Sequence, residues 1–151
     1  MTYNIKKVKF TFFYPFLLNL SLDLFKEILI KFLILFFVMI KRNFKDVKEE
    51  VVTKAHSTET TVRWLITRED GPTSFATRRF EIESGGQIGL HEHFEDHHIY
   101  IIQGKAQFID AQNNKIIAKE GDAIYIPPNE FHGIINISDN TFIFICVIPY
   151  K

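Results

Sequence analysis

A chain of 151 residues with 18 basic and 18 acidic side chains carries no net charge, and no Lys/Arg run is interleaved with aromatics, so nucleic-acid binding is unsupported. That length suits one domain with residues to spare, and a core of this size can bury enough apolar surface to fold unaided. The single cysteine, Cys146, sits in the apolar run 142–148 and has no partner for a disulfide; it reads as a buried core thiol in a protein that needs no oxidising compartment, with the cytoplasm as its expected location.

Residues 1–70 contain no glycine, whereas all seven glycines lie from Gly71 onward, where a turn-rich β domain needs them. Residues 1–40 are crowded with Phe, Leu and Ile. Within them Asn19, Asp23, Lys26, Glu27 and Lys31 recur at steps of three and four, which draws a polar stripe down one side of a helix. A spanning helix needs about 20 apolar residues and loses roughly 2.5 to 3.5 kcal/mol for each charge near its centre. The uninterrupted run after Lys31 is far shorter than that. An amphipathic helix at a membrane or on a partner fits the stripe better. A secretory signal fits poorly, because acidic residues precede the apolar run and no small-residue cleavage site follows it. A third interpretation starts the protein at Met39 and treats residues 1–38 as a translated, AT-rich upstream segment, since Phe, Ile, Leu, Lys, Asn and Tyr all have codons rich in A and T. Membrane contact is expected only if residues 1–38 belong to the protein.

Residues 41–60 are mostly charged and polar and read as a linker or N-terminal arm, with a short helical tendency over 45–52. From Thr61 to Lys151 the pattern becomes short apolar runs: 62–67, 75–82, 87–93, 98–103, 106–110, 115–119, 123–126, 133–137 and 141–148. Turn residues punctuate them at 69–72, 84–86, 103–104, 111–114 and 138–140. Many short strands at such spacing predict an all-β sandwich or barrel.

The chemistry is concentrated in His91-Glu92-His93-Phe94-Glu95-Asp96-His97 and in His132, which follows Pro127-Pro128-Asn129-Glu130-Phe131. Histidines at i and i+2 on a strand project from one face, so His91 and His93 can share an ion while His97 and His132 close the set. His98 points to the opposite face from His97 and reads as a surface or interface residue, unless the two exchange roles. His56 lies in a polar stretch and reads as solvated, and Glu92, Glu95 and Asp96 read as hydrated loop residues ahead of ligands.

Gly85 stands six positions before His91, Gly104 seven after His97, Gly121 six before Pro127, and Asn136 four after His132. With the histidines, this spacing resembles the two-part signature of the cupin superfamily over roughly residues 75–148. Two positions depart from that signature. His97 replaces the usual glutamate, exchanging an anionic oxygen for a neutral nitrogen, and Asn129 replaces a glycine, which is mild because asparagine tolerates the left-handed conformation. The chain is therefore most similar to small single-domain cupins with four histidines, some of which carry manganese or iron and have oxidative activity.

The resemblance implies a jelly-roll β-barrel with one divalent ion near its mouth, held by His91, His93, His97 and His132. Manganese or iron is favoured; zinc, nickel or copper also suits imidazole. Tetrahedral coordination would make the site structural zinc, whereas octahedral coordination would leave two positions for dioxygen, a peroxide or a chelating substrate. The leading expectation is a metal-dependent oxidoreductase of dioxygenase type acting on a small organic molecule. The alternatives are a sugar isomerase or lyase-like enzyme, with Glu95, His98 or Tyr100 as general base, and a non-catalytic module that binds a metal or metabolite. Alternation in 74–82 places Arg78 with Phe80 and Ile82, where it either binds a substrate carboxylate or makes a structural ion pair. A homodimer is the expected assembly, and no helix-turn-helix accompanies the domain.

Overall fold

The computed structural model describes residues 39–72 and 74–150, together with Asp23, Leu24, Lys26 and Glu27. It separates into two units, Met1–Met39 and Ile40–Lys151. In the first, the four described residues are helical and exposed, and the remainder of the polar stripe, Asn19 and Lys31, lies outside the described residues. Among the described residues no helix is long and apolar enough to cross a membrane.

The second unit is built from nine antiparallel strands: β1 Glu50–Val51, β2 Thr58–Ile66, β3 Phe75–His91, β4 His97–Gln103, β5 Lys105–Ile109, β6 Lys115–Lys119, β7 Ala123–Ile126, β8 His132–Asn136 and β9 Phe142–Pro149. They form one curled sheet in the order β6-β5-β8-β3-β9-β4-β7, with β2 also on β3 and β1 on β2. The all-β expectation holds. One expected turn does not: 84–86 is part of the 17-residue strand β3. Gly85 takes φ +76° there, a left-handed conformation that glycine adopts without a Cβ penalty. The strand bends through it without breaking. Its first half pairs with β9, Phe80 opposite Phe144, and its second half with β8, His91 opposite His132. One strand thus serves both walls of the barrel, which a turn would have prevented.

Alternation fills the interior. Along β4 the pattern is strict, with His97, Ile99 and Ile101 buried and His98, Tyr100 and Ile102 exposed. Phe80 stacks on Phe144 at 5.0 Å, and Phe142 and Phe144 approach at 5.4 Å in the middle of β9. Each fully buried aromatic of this kind stabilises the fold by roughly 1.5 to 3 kcal/mol relative to exposure.

On the outer face the arm before β2 is fastened to the barrel. Arg42 pairs with Asp70 at 2.6 Å, and the Phe44 ring receives the Arg79 guanidinium 4.2 Å from its centroid. The hydrogen bond from Arg42 holds the Asp70 carboxyl below its ordinary range. Arg63 bridges Glu49 and Glu81, and Arg79 shares Glu81.

Candidate metal centre

Four chain segments deliver the histidines. β3 ends on His91, His93 follows in the loop, His97 opens β4 and His132 opens β8. Because His91 and His132 are register partners, their rings lie side by side with centroids 4.3 Å apart. His93 meets both, at 5.4 Å and 5.1 Å. His91, His93 and His132 each offer a ring nitrogen within 4.8 Å of the others, a group able to hold an ion. His97 stands beside this trio, with centroids 4.6 Å from His93 and 5.0 Å from His132 and its Nε2 2.7 Å from His93 Nε2.

The outer nitrogens are anchored away from the centre. His91 Nδ1 donates to the Gly89 carbonyl at 2.9 Å and His132 Nδ1 to the Glu130 carbonyl at 2.7 Å. A carbonyl only accepts, so in both rings Nδ1 carries the proton and Nε2 keeps a bare lone pair. His97 Nδ1 lies 2.9 Å from Cys146 Sγ. A Glu95 carboxylate oxygen lies 3.1 Å from His93 Nδ1, off hydrogen-bond alignment. Lone pairs turned toward one another repel unless a cation lies among them, and outer partners of this kind are what ligating imidazoles have. The donor set therefore fits a divalent ion.

Burial disfavours the charged form of three of the rings, His93, His97 and His132. It pushes His97 down to about 2, with the Arg78 charge assisting, and His132 down to about 4. Burial also lowers His93, against the opposing pull of Glu95. Neutral imidazole is the form that ligates.

Two backbone devices hold the loops. Gly89 N–H donates to the Ala55 carbonyl at 2.8 Å, and a Cβ at Gly89 would meet that oxygen at 2.6 Å, so only glycine permits the approach. Asn129 adopts φ +60°, as its place at a glycine position implies, and its N–H donates to the His93 carbonyl at 2.8 Å. Asn136 is buried and structural: its amide donates to the Ile82 and Asn140 carbonyls, and its oxygen accepts from Ser138.

The histidines open on a cavity of about 680 Å³. Arg78 lines it, and the alternative of an ion pair at the rim is not what the structure shows: no carboxylate lies within salt-bridge distance of Arg78 among the described residues. The proposed bases fare differently. His98 and Tyr100 are exposed on the outer face, because β4 alternation turns them away from the cavity, while Glu95 lines it beside His93. His56 is exposed. Sequence reasoning missed two wall residues. Trp64 is the register partner of Arg78 on β2, and Cys146 is its partner on β9. The signal available for Cys146 was its parity with Phe142 and Phe144 on one strand.

Residues 78–148 match the family described as Cupin domain. An uncharacterized protein of Methanocaldococcus jannaschii is 36% identical over 62 residues, which is 41% of this chain and 50% of that protein, so the chain matches about half the length of that relative. The polyketide cyclase RemF from Streptomyces resistomycificus superposes with a TM-score of 0.71 and 32% identity over 76% of this chain and 81% of that one. A structure described as a predicted oxalate decarboxylase from Thermotoga maritima gives a TM-score of 0.66 at 24% identity, covering 75% and 100%, a likeness of fold alone. The curled antiparallel sheet, the histidines at its mouth and these matches agree: this chain belongs to the cupin superfamily.

Proposed function

We propose that the chain is a metal-dependent enzyme in which His91, His93, His97 and His132 hold one divalent ion and a small organic molecule enters the cavity beside them. The observation that carries this is the anchoring of the outer ring nitrogens of His91, His97 and His132, with inner nitrogens of the four imidazoles converging on one another. A bound ion supplies positive charge that polarises a substrate oxygen and, as manganese or iron, a redox couple. The protein contributes a largely apolar wall and fixed ring orientations.

An oxidoreductase of dioxygenase type is the form of this chemistry we favour. Two of the three candidate general bases, His98 and Tyr100, face outside, and only Glu95 lines the cavity, 3.1 Å from His93 Nδ1. Redox chemistry asks less of them than isomerisation does. The second interpretation is redox-neutral, lyase-like chemistry, favoured by the 32% identity to a polyketide cyclase. Elemental analysis of the full chain, purified without added metal or chelator, separates the two. About one manganese or iron per chain supports the first and about one zinc the second. No metal, and none taken up on addition, would remove both. A homodimer is proposed as the assembly, and sedimentation at the monomer mass would rule it out.

A further inference from the structure

Arg42, Arg63 and Arg79 each meet a carboxylate. Arg78 does not. Its Nη2 lies 3.1 Å from Cys146 Sγ and 3.4 Å from His97 Nδ1, both weak partners for a cation, and its Nε is buried with no hydrogen-bond partner. The guanidinium is kept in place by aromatic faces, 5.2 Å from the Trp64 centroid and 5.0 Å from that of Phe80. A guanidinium does not deprotonate in proteins, so the wall of this cavity carries a permanent, unpaired positive charge. Among the described residues no carboxylate pairs with it. Of the carboxylates lining the cavity, Glu50 and Glu92 are exposed at the rim and Glu95 stands against His93. Arg78 is half-buried with its Nε shielded from solvent, and a charge so placed without a counter-charge is stabilised when a ligand brings one.

We propose that Arg78 is the anion subsite of the cavity and takes the carboxylate of an acidic substrate whose remaining body is apolar. The inference rests on the cavity being the substrate site and deepens that proposal by naming the class of molecule. The planar fork of Arg78 matches a carboxylate, and Trp64 and Phe80 fix its plane beforehand. The wall around Arg78, including Phe80, Ile88, Ile99, Phe144 and Ile148, suits a hydrocarbon or aromatic body. The volume falls within the range of roughly 300 to 1,000 Å³ typical of small-molecule sites.

Calorimetric titration of the full chain with salicylate and with salicylamide, its uncharged counterpart, tests the assignment. Salicylate is expected to bind at least about tenfold more tightly, with the preference falling below about threefold in Arg78→Met and lying between in Arg78→Lys. Equal affinities, no binding of either probe, or a preference unchanged in Arg78→Met would overturn it. Thermal melting adds a structural check. Arg78→Met removes a half-buried charge that has no carboxylate partner among the described residues and is expected to melt at the same temperature or higher, and a drop of several degrees in both variants would make Arg78 a structural residue. Repeating the titration after chelator treatment, with metal content measured, keeps the two proposals apart. A chain that never holds metal but keeps the Arg78-dependent preference sinks the metal centre alone, and a metal-loaded chain without the preference sinks the anion subsite alone.

Discussion

The Cys146 thiol lies 2.9 Å from Nδ1 of His97 and 3.1 Å from Nη2 of Arg78, so one buried sulfur touches both the histidine cluster and the cationic wall. Cys146 is 1% exposed, and its neighbours on β9 hold it in that place. It fixes the outer nitrogen of His97 as backbone carbonyls fix His91 and His132. Replacing it by alanine is expected to lower metal affinity by about tenfold, within the range for loss of such an outer partner, while Cys146→Ser retains it to within about threefold. Competition against a chelating dye measures both. Equal affinities in the wild type and the alanine variant would show that the sulfur only packs.

His93→Ala and His132→Ala are each expected to abolish stoichiometric metal binding, since both rings touch every other member of the cluster. His97→Glu is expected to keep binding, because a carboxylate there supplies an anionic oxygen in place of a neutral nitrogen. Metal-to-chain ratios after gel filtration decide the matter. Full occupancy in both alanine variants would remove the ligand assignment.

Acid is expected to destabilise the metal-free protein before its carboxylates titrate. His132 and His97 are held down to about 4 and about 2 in the fold, mainly by burial. Between about pH 6.5 and those values the unfolded chain binds protons that the folded chain does not, so stability falls as pH falls, by about 1.4 kcal/mol per pH unit for each histidine. Urea midpoints at pH 7 and pH 5 would show the decline, and a flat profile would contradict the burial of these rings. Added metal should deepen it, because the folded site then takes up an ion in place of protons that the unfolded chain still binds.

Asn129 holds a left-handed φ of +60° while its N–H reaches the His93 carbonyl. Asn129→Gly is expected to change stability by no more than about 0.5 kcal/mol, whereas Asn129→Val should cost about 1–2 kcal/mol for forcing a β-branched residue into that region. Melting curves of the two variants check the difference. Equal melting would mean that the loop has another conformation available to it.

Phe142 is wholly buried and meets Phe108 and Phe144. Phe142→Ala is expected to destabilise by about 3–5 kcal/mol, through lost burial and the cavity left behind. Denaturant titration measures it, and a loss under about 1 kcal/mol would mean that the core collapses to fill the gap.

Much of the fold was legible because a strand writes its burial into alternate positions. The runs 115–119 and 123–126 return as β6 and β7 without shift, and the parity separating His97 from His98 follows from the same period of two. The tight spacing of His91, His93 and His97 was legible for a related reason: they lie within seven residues, where local geometry dominates. The curl of β3 was not legible. Ser84-Gly85-Gly86 has the composition of a turn, and only the competing pairings with β8 and β9 decide that the backbone bends there and continues.

The amino-acid sequence by itself determined the all-β class, the β4 parity and the histidines that a metal would need, since each depends on residues close together in the chain. Only the tertiary structure decided that Arg78 stands without a carboxylate among the described residues, that Cys146, 68 positions away from it, is its neighbour, and that His98 and Tyr100 are turned out of the cavity's reach. Contacts of that kind arise from strand register across the barrel, and register is set by the sum of many side-chain packings between distant segments, which no local pattern encodes.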